Sequence, residues 1–111
     1  MDKINLLEEA ILTVLNSYAK KWQNPEPSPY HLVVDSVQKR YVLFEMGFEG
    51  RIFYHFPVFH LSIENEQIWV FEDKSEEGIV DLLMELSIPA KDIVLGYYSE
   101  AYRKITDLTA A

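Results

Sequence analysis

Cysteine is absent from the 111-residue sequence, which excludes disulfides and thiolate metal sites. Glycine occurs only four times, singly at positions 47, 50, 78 and 96, so there is no glycine-rich loop to cradle a phosphate. No apolar run reaches the roughly 18 residues that a membrane-spanning helix needs. The opening MDKINLLEEA is acidic and amphipathic, unlike a signal peptide. Positive charge is also scarce: ten Lys and Arg stand against eighteen Asp and Glu, a net charge of −8. Phosphate neutralisation dominates nucleic-acid affinity, so an acidic chain starts at a disadvantage on DNA. The only adjacent basic pairs are Lys20-Lys21, Lys39-Arg40 and Arg103-Lys104. These six are the candidate DNA contacts, each more simply read as the solvated end of an element. The expectation is one soluble cytoplasmic domain over residues 1–111, without a membrane segment.

What is present is apolar and aromatic: 49% of the residues are hydrophobic, and Phe, Trp and Tyr make up 14% of the chain. Residues 2–22 predict a helix, with Asp2 as N-cap and Ile4, Leu7, Ile11, Val14, Tyr18 and Trp22 in three- and four-residue steps. The segment Asn24-Pro25-Glu26-Pro27-Ser28-Pro29 cannot continue it, because proline lacks the amide donor and clashes with the preceding turn. From Tyr30 to Glu72 the residues are those of strands. Turn signals at 35–40, at Glu49-Gly50 and at Asn65-Glu66 divide them into an antiparallel meander over about 30–35, 40–48, 51–64 and 67–72. A second helix is predicted over 75–86 with Ser75 as N-cap, ending before Pro89. Ile93-Val94-Leu95 reads as a short buried strand and 99–104 as a last helical turn. The class is α+β: an antiparallel sheet of about four to five strands, an N-terminal helix and a second helix after the meander.

Pairing residues across the predicted turns sorts side chains onto two faces. One collects Val42, Phe44, Met46, Phe48, Phe53, Phe59, Leu61, Ile63, Ile68 and Val70. The other collects Leu32, Val34, Tyr41, Leu43, Tyr54, Phe56, Val58, Trp69 and Phe71. Both are apolar, and two helices cover only one. The second face, through Trp69, Phe71, Tyr54, Phe56 and Val58, is therefore the candidate contact with a partner or with a second copy in a homodimer. Pro57 is the weak point, since a bulge there swaps the upstream parity.

Chemistry-bearing residues do not converge. His31 and His55 are placed on one face with Phe44 between them and His60 on the other, with no carboxylate at a ligand spacing. The carboxylates of Glu8-Glu9, Glu64, Glu66, Glu72-Asp73 and Glu76-Glu77 fall at turns and helix starts, where structure alone explains them. Asp35 opposite Arg40 reads as a cross-strand ion pair. No catalytic residue, cofactor or metal ligand is predicted.

Six features in order resemble the XisI family, the fdxN element excision controlling factor found mainly in cyanobacteria. They are Arg40-Tyr41 before a strand ending at Gly47, His60-Leu61-Ser62-Ile63, Ile68-Trp69-Val70, Glu77-Gly78-Ile79, Pro89 leading into Asp92-Ile93-Val94-Leu95-Gly96, and Arg103 with Thr106. The first helix ending in Tyr18-Ala19 matches too. Departures occur at Phe48, where the family commonly has Trp, at Phe71, where it has Gln, in the turn Asp73-Lys74-Ser75-Glu76, and at Ser87-Ile88-Pro89-Ala90. They point to a diverged paralogue without a polar site on the Trp69–Phe71 strand. The resemblance implies a non-enzymatic accessory factor in site-specific recombination, acting by contact with a recombinase or a nuclease-like companion, XisH. The alternatives are a direct DNA-binding recombination cofactor or a regulator that neutralises a nuclease-like partner.

Overall fold

The computed structural model describes residues 2–21 and 28–106, with side chains as far as 103. Helix α1 spans Lys3–Lys21, and a meander follows through β1 (Tyr30–Asp35), β2 (Arg40–Glu49), β3 (Ile52–Glu64) and β4 (Gln67–Asp73). Helix α2 (Ile79–Glu85) and a 3-10 turn at Ala90–Asp92 lead back to β5 (Ile93–Leu95), and α3 covers Glu100–Thr106. The strands lie in the order β1-β2-β3-β4-β5. The first four pair antiparallel and β5 pairs parallel to β4, so the return through α2 is a crossover.

Local chemistry explains most boundaries. The Asp2 carboxylate accepts the Ile4 amide at 3.0 Å, as an N-cap should. Leu7, Ala10, Ile11, Val14 and Leu15 form the stripe that α1 buries, and Tyr18 extends it with its ring edge-on to Phe59 at 5.1 Å. Trp22, the last position of the predicted stripe, lies outside the described residues, as does the predicted connector from Asn24 to Pro27. Asn65 and Glu66 both have positive φ, 53° and 57°, in the tight turn between β3 and β4. Gly50 turns the β2–β3 hairpin at φ 65°.

Helix α2 starts four residues later than predicted. Ser75 does not cap it: the Ser75 hydroxyl donates to Asp73 at 2.7 Å and accepts the Gly78 amide at 3.0 Å. The second Asp73 oxygen accepts the Ile79 amide at 2.8 Å, so Asp73 secures the helix entry from the end of β4. Gly78 sits at φ 86°, a conformation that makes glycine the suitable residue there.

Two bulges decide which face each side chain occupies. Between β2 and β3 the pairs run Tyr41↔Leu61 and Leu43↔Phe59, then jump to Phe44↔Pro57, leaving Val58 unopposed. Between β3 and β4 they run Leu61↔Val70, then His60↔Glu72, leaving Phe71 unopposed. The first bulge inverts the predicted parity of β2. Tyr41 and Leu43 therefore join Phe59, Leu61, Ile63, Ile68 and Val70 in the core beneath α1 and α2. Val42 pairs with His60, and Phe44, Met46 and Phe48 follow it to the opposite side. Glu8 ties this layer to the helices: the Tyr41 hydroxyl donates to its carboxylate at 2.5 Å, and Lys39 lies 3.9 Å from it. Burial first, and then this hydrogen bond, push the Tyr41 phenol well above its ordinary pKa.

Candidate interaction surface

Helices α1 and α2 cover one face of the sheet; the other, called here the open face, has two dissimilar ends. At the β1–β3 end an aromatic run crosses the strands. Phe48 lies 5.3 Å from Phe53, Phe53 stacks on His55 at 6.5 Å, and His55 stacks on Phe44 at 5.0 Å between ring centroids. Phe48 is 71% exposed, Phe53 55% and Val33 52%. These are large apolar surfaces to leave in water, Val33 on the edge strand β1 and Phe48 and Phe53 beside the β2–β3 turn.

At the β3–β5 end the aromatics are half-buried and sit beneath guanidinium groups. Trp69 and Phe71 stack at 6.4 Å, and His60 lies 5.3 Å from Phe71. Arg103 of α3 spans the Trp69 ring at 5.2 Å, while its guanidinium donates to the carbonyls of Leu95 and Tyr98. Arg40 lies 5.6 Å from the Phe71 centroid and 3.4 Å from His60 Nε2, which must be the acceptor because a guanidinium only donates. Burial, and next the Arg40 charge, lower the His60 pKa, with Glu72 opposing them. The backbone leaving β5 rests on both rings: a Cβ on Gly96 would come 2.8 Å from Phe71 and 3.2 Å from Trp69.

The five residues predicted to form one contact face are divided by the bulge. Trp69 and Phe71 lie on the open face. Tyr54 and Phe56 lie on the helix side, where the Tyr54 hydroxyl covers Gly47 and the Lys74 ammonium sits 5.8 Å from the Phe56 ring. Val58 is buried in the core. Conversely, Phe44, Phe48 and Phe53, expected on one face with Phe59 and Leu61, belong to the open one. His60 joins His31 and His55 on the open face, contrary to the predicted separation. Among the described residues no group of histidines and carboxylates has metal-binding geometry.

The six predicted DNA contacts do not form a single stripe. Lys20 and Lys21 end α1, with Lys21 paired to Glu77 at 2.9 Å. Lys39 is bound to Glu8, twelve residues and thus about 18 Å back along that helix. Arg40 and Arg103 lie on the open face over aromatic rings, and the Lys104 side chain is outside the described residues. The predicted Asp35–Arg40 ion pair is replaced by other bonds: Asp35 accepts the amides of Val37 and Gln38 at 3.0 and 2.9 Å. Asp73 secures the α2 entry and Arg103 the exit of β5 by the hydrogen bonds described above.

Comparison with known proteins places this architecture. The family described as XisI protein matches residues 1–110. The crystal structure of a XisI-like protein from Anabaena variabilis superposes with a TM-score of 0.86 at 23% identity, over 97% of this chain and 99% of that one. The fdxN element excision controlling factor XisI from the same organism gives a TM-score of 0.76 at 26% identity, over 92% of this chain and 99% of that one. Among curated proteins none matches.

Proposed function

The chain belongs to the XisI family, and on that premise we propose that it is a non-enzymatic controlling factor for excision of a DNA element, acting by contact with a companion protein such as XisH or with the recombinase. The observation that carries this reading is the β3–β5 end of the open face. It presents Trp69, Phe71, Arg40 and Arg103 together, the residue types that dominate binding energy at protein interfaces. The rings are held by stacking and by Gly96, so little side-chain freedom remains to be lost on docking. Direct phosphate binding finds less support, since the basic residues are dispersed and the chain carries −8.

Co-purification with the companion tests the reading. Trp69→Ala/Phe71→Ala is expected to lose the complex while remaining folded. Arg40→Glu, which alters the surface without removing a packed ring, is expected to weaken it. A complex formed unchanged by both folded variants removes this surface from the account.

A further inference from the structure

We infer that the other end of the open face, across β1, β2 and β3, is where a second copy of this chain docks. The patch is built from Val33, Val42, Phe44, Phe48, Phe53 and His55, all turned away from α1 and α2. Charge selects the occupant. None of these residues is a carboxylate, a lysine or an arginine, so the whole net charge of −8 lies elsewhere on the chain. Among the described residues, charged groups begin at the rim, with Asp35 and Arg40 at one end and Glu49 and Arg51 at the hairpin turn.

A nucleic acid would find no cation here for its phosphates. A charged protein surface would have to be desolvated against rings and aliphatic groups that return nothing to it. A second copy brings the same uncharged patch. A two-fold contact needs a self-complementary surface, and an uncharged apolar one meets that condition where an acidic one cannot. Two chains of −8 repel through their acidic surfaces, which favours contact through this uncharged patch.

Size agrees. Aromatic side chains bury roughly 150–250 Å2 each, so Phe48 and Phe53 at their exposures leave on the order of 250 Å2 in water. With Val33, the exposed His55 and the partly exposed Val42 and Phe44 the patch reaches roughly 500 Å2 per copy, within the range that monomers leave uncovered. Two copies would bury about 1,000 Å2, the size at which a weak but specific interface begins. The run of ring contacts Phe48–Phe53–His55–Phe44 limits side-chain freedom before docking, so less rotamer entropy is lost.

Sedimentation equilibrium of the full chain alone tests the inference, independently of any companion. A concentration-dependent monomer–dimer equilibrium is expected, as suits a small interface. Added salt should strengthen it, because salt screens the repulsion of the acidic surfaces without weakening apolar contact. Phe48→Glu/Phe53→Glu is expected to raise the dissociation constant at least about 100-fold with an unchanged circular-dichroism spectrum. Mixing it with Phe48→Lys/Phe53→Lys should restore association through opposite charges. If the double variant loses its fold, Val33→Asp at the sheet edge carries the same expectation. A wild-type chain that stays monomeric overturns the proposal and leaves this face to a foreign protein. A dimer equally tight in the folded variants overturns it by placing the contact elsewhere.

Discussion

The two faces of this sheet are alike in composition and unlike in what covers them. On the helix side Tyr41, Leu43, Phe59, Leu61, Ile68 and Val70 are sealed beneath α1 and α2, and the polar groups among them are matched, Tyr41 to Glu8 above all. On the open side rings of the same size stand in rows, and among the described residues the Gly96 backbone and Arg103 lie over the β3–β5 end. An antiparallel sheet that faces water on one side ordinarily alternates apolar and polar residues. Here the alternation is missing, and the half-covered face shows where the apolar excess went. The lesson is that composition alone cannot separate a core from an interface; coverage does.

Substitution on the two faces separates them most strongly. Phe59→Ala removes a fully buried ring and the contact with Tyr18, and should cost about 3–5 kcal/mol in denaturant unfolding. Phe48→Ser, equal in kind but on the open face, should stay within about 0.5 kcal/mol for the monomer. A comparable loss at Phe48 would mean that this face too is packed within the monomer. Gly96→Ala comes next: the new methyl meets the Phe71 ring at 2.8 Å and should cost about 1–3 kcal/mol by overpacking. Indifference to it would show that the tail does not rest on those rings.

The smallest effect is electrostatic. His60 is held neutral below its ordinary range of about 6.5 by burial and then by Arg40, with Glu72 opposing. The folded state therefore binds fewer protons than the unfolded state just below pH 6.5. Its contribution is complete above that pH and is lost as pH falls through the depressed folded value. His60→Gln should flatten the stability profile in that window; an unchanged slope there would assign the pH dependence to other groups.

Much of this was legible in the sequence. The helical stripe from Leu7 to Tyr18, the turn at Asn65-Glu66 and the four meander strands follow from periodicity and turn chemistry, because those signals are local. Face assignment is different. In a strand it rests on a period of two, which a single unopposed residue inverts. Val58 is that residue, and within Phe56-Pro57-Val58-Phe59 every neighbour is apolar, so nothing in the pattern marks the slip except Pro57. The error then spread to Tyr41, Leu43, Tyr54 and Phe56 together. The α2 start was hidden for another reason: Ser75 is a plausible cap by type, but Asp73 reaches the Ile79 amide first.

The absence of cysteine makes one direct measurement available. A single Val33→Cys on the open face and a single Leu6→Cys on the outer side of α1, 47% exposed in the wild type, report on the two layers by thiol-labelling rate. In dilute solution both should label rapidly. At high concentration, Cys at position 33 should be protected several-fold while position 6 is not. Equal and undiminished labelling at both positions under all conditions would contradict the claim that this face is kept for another molecule.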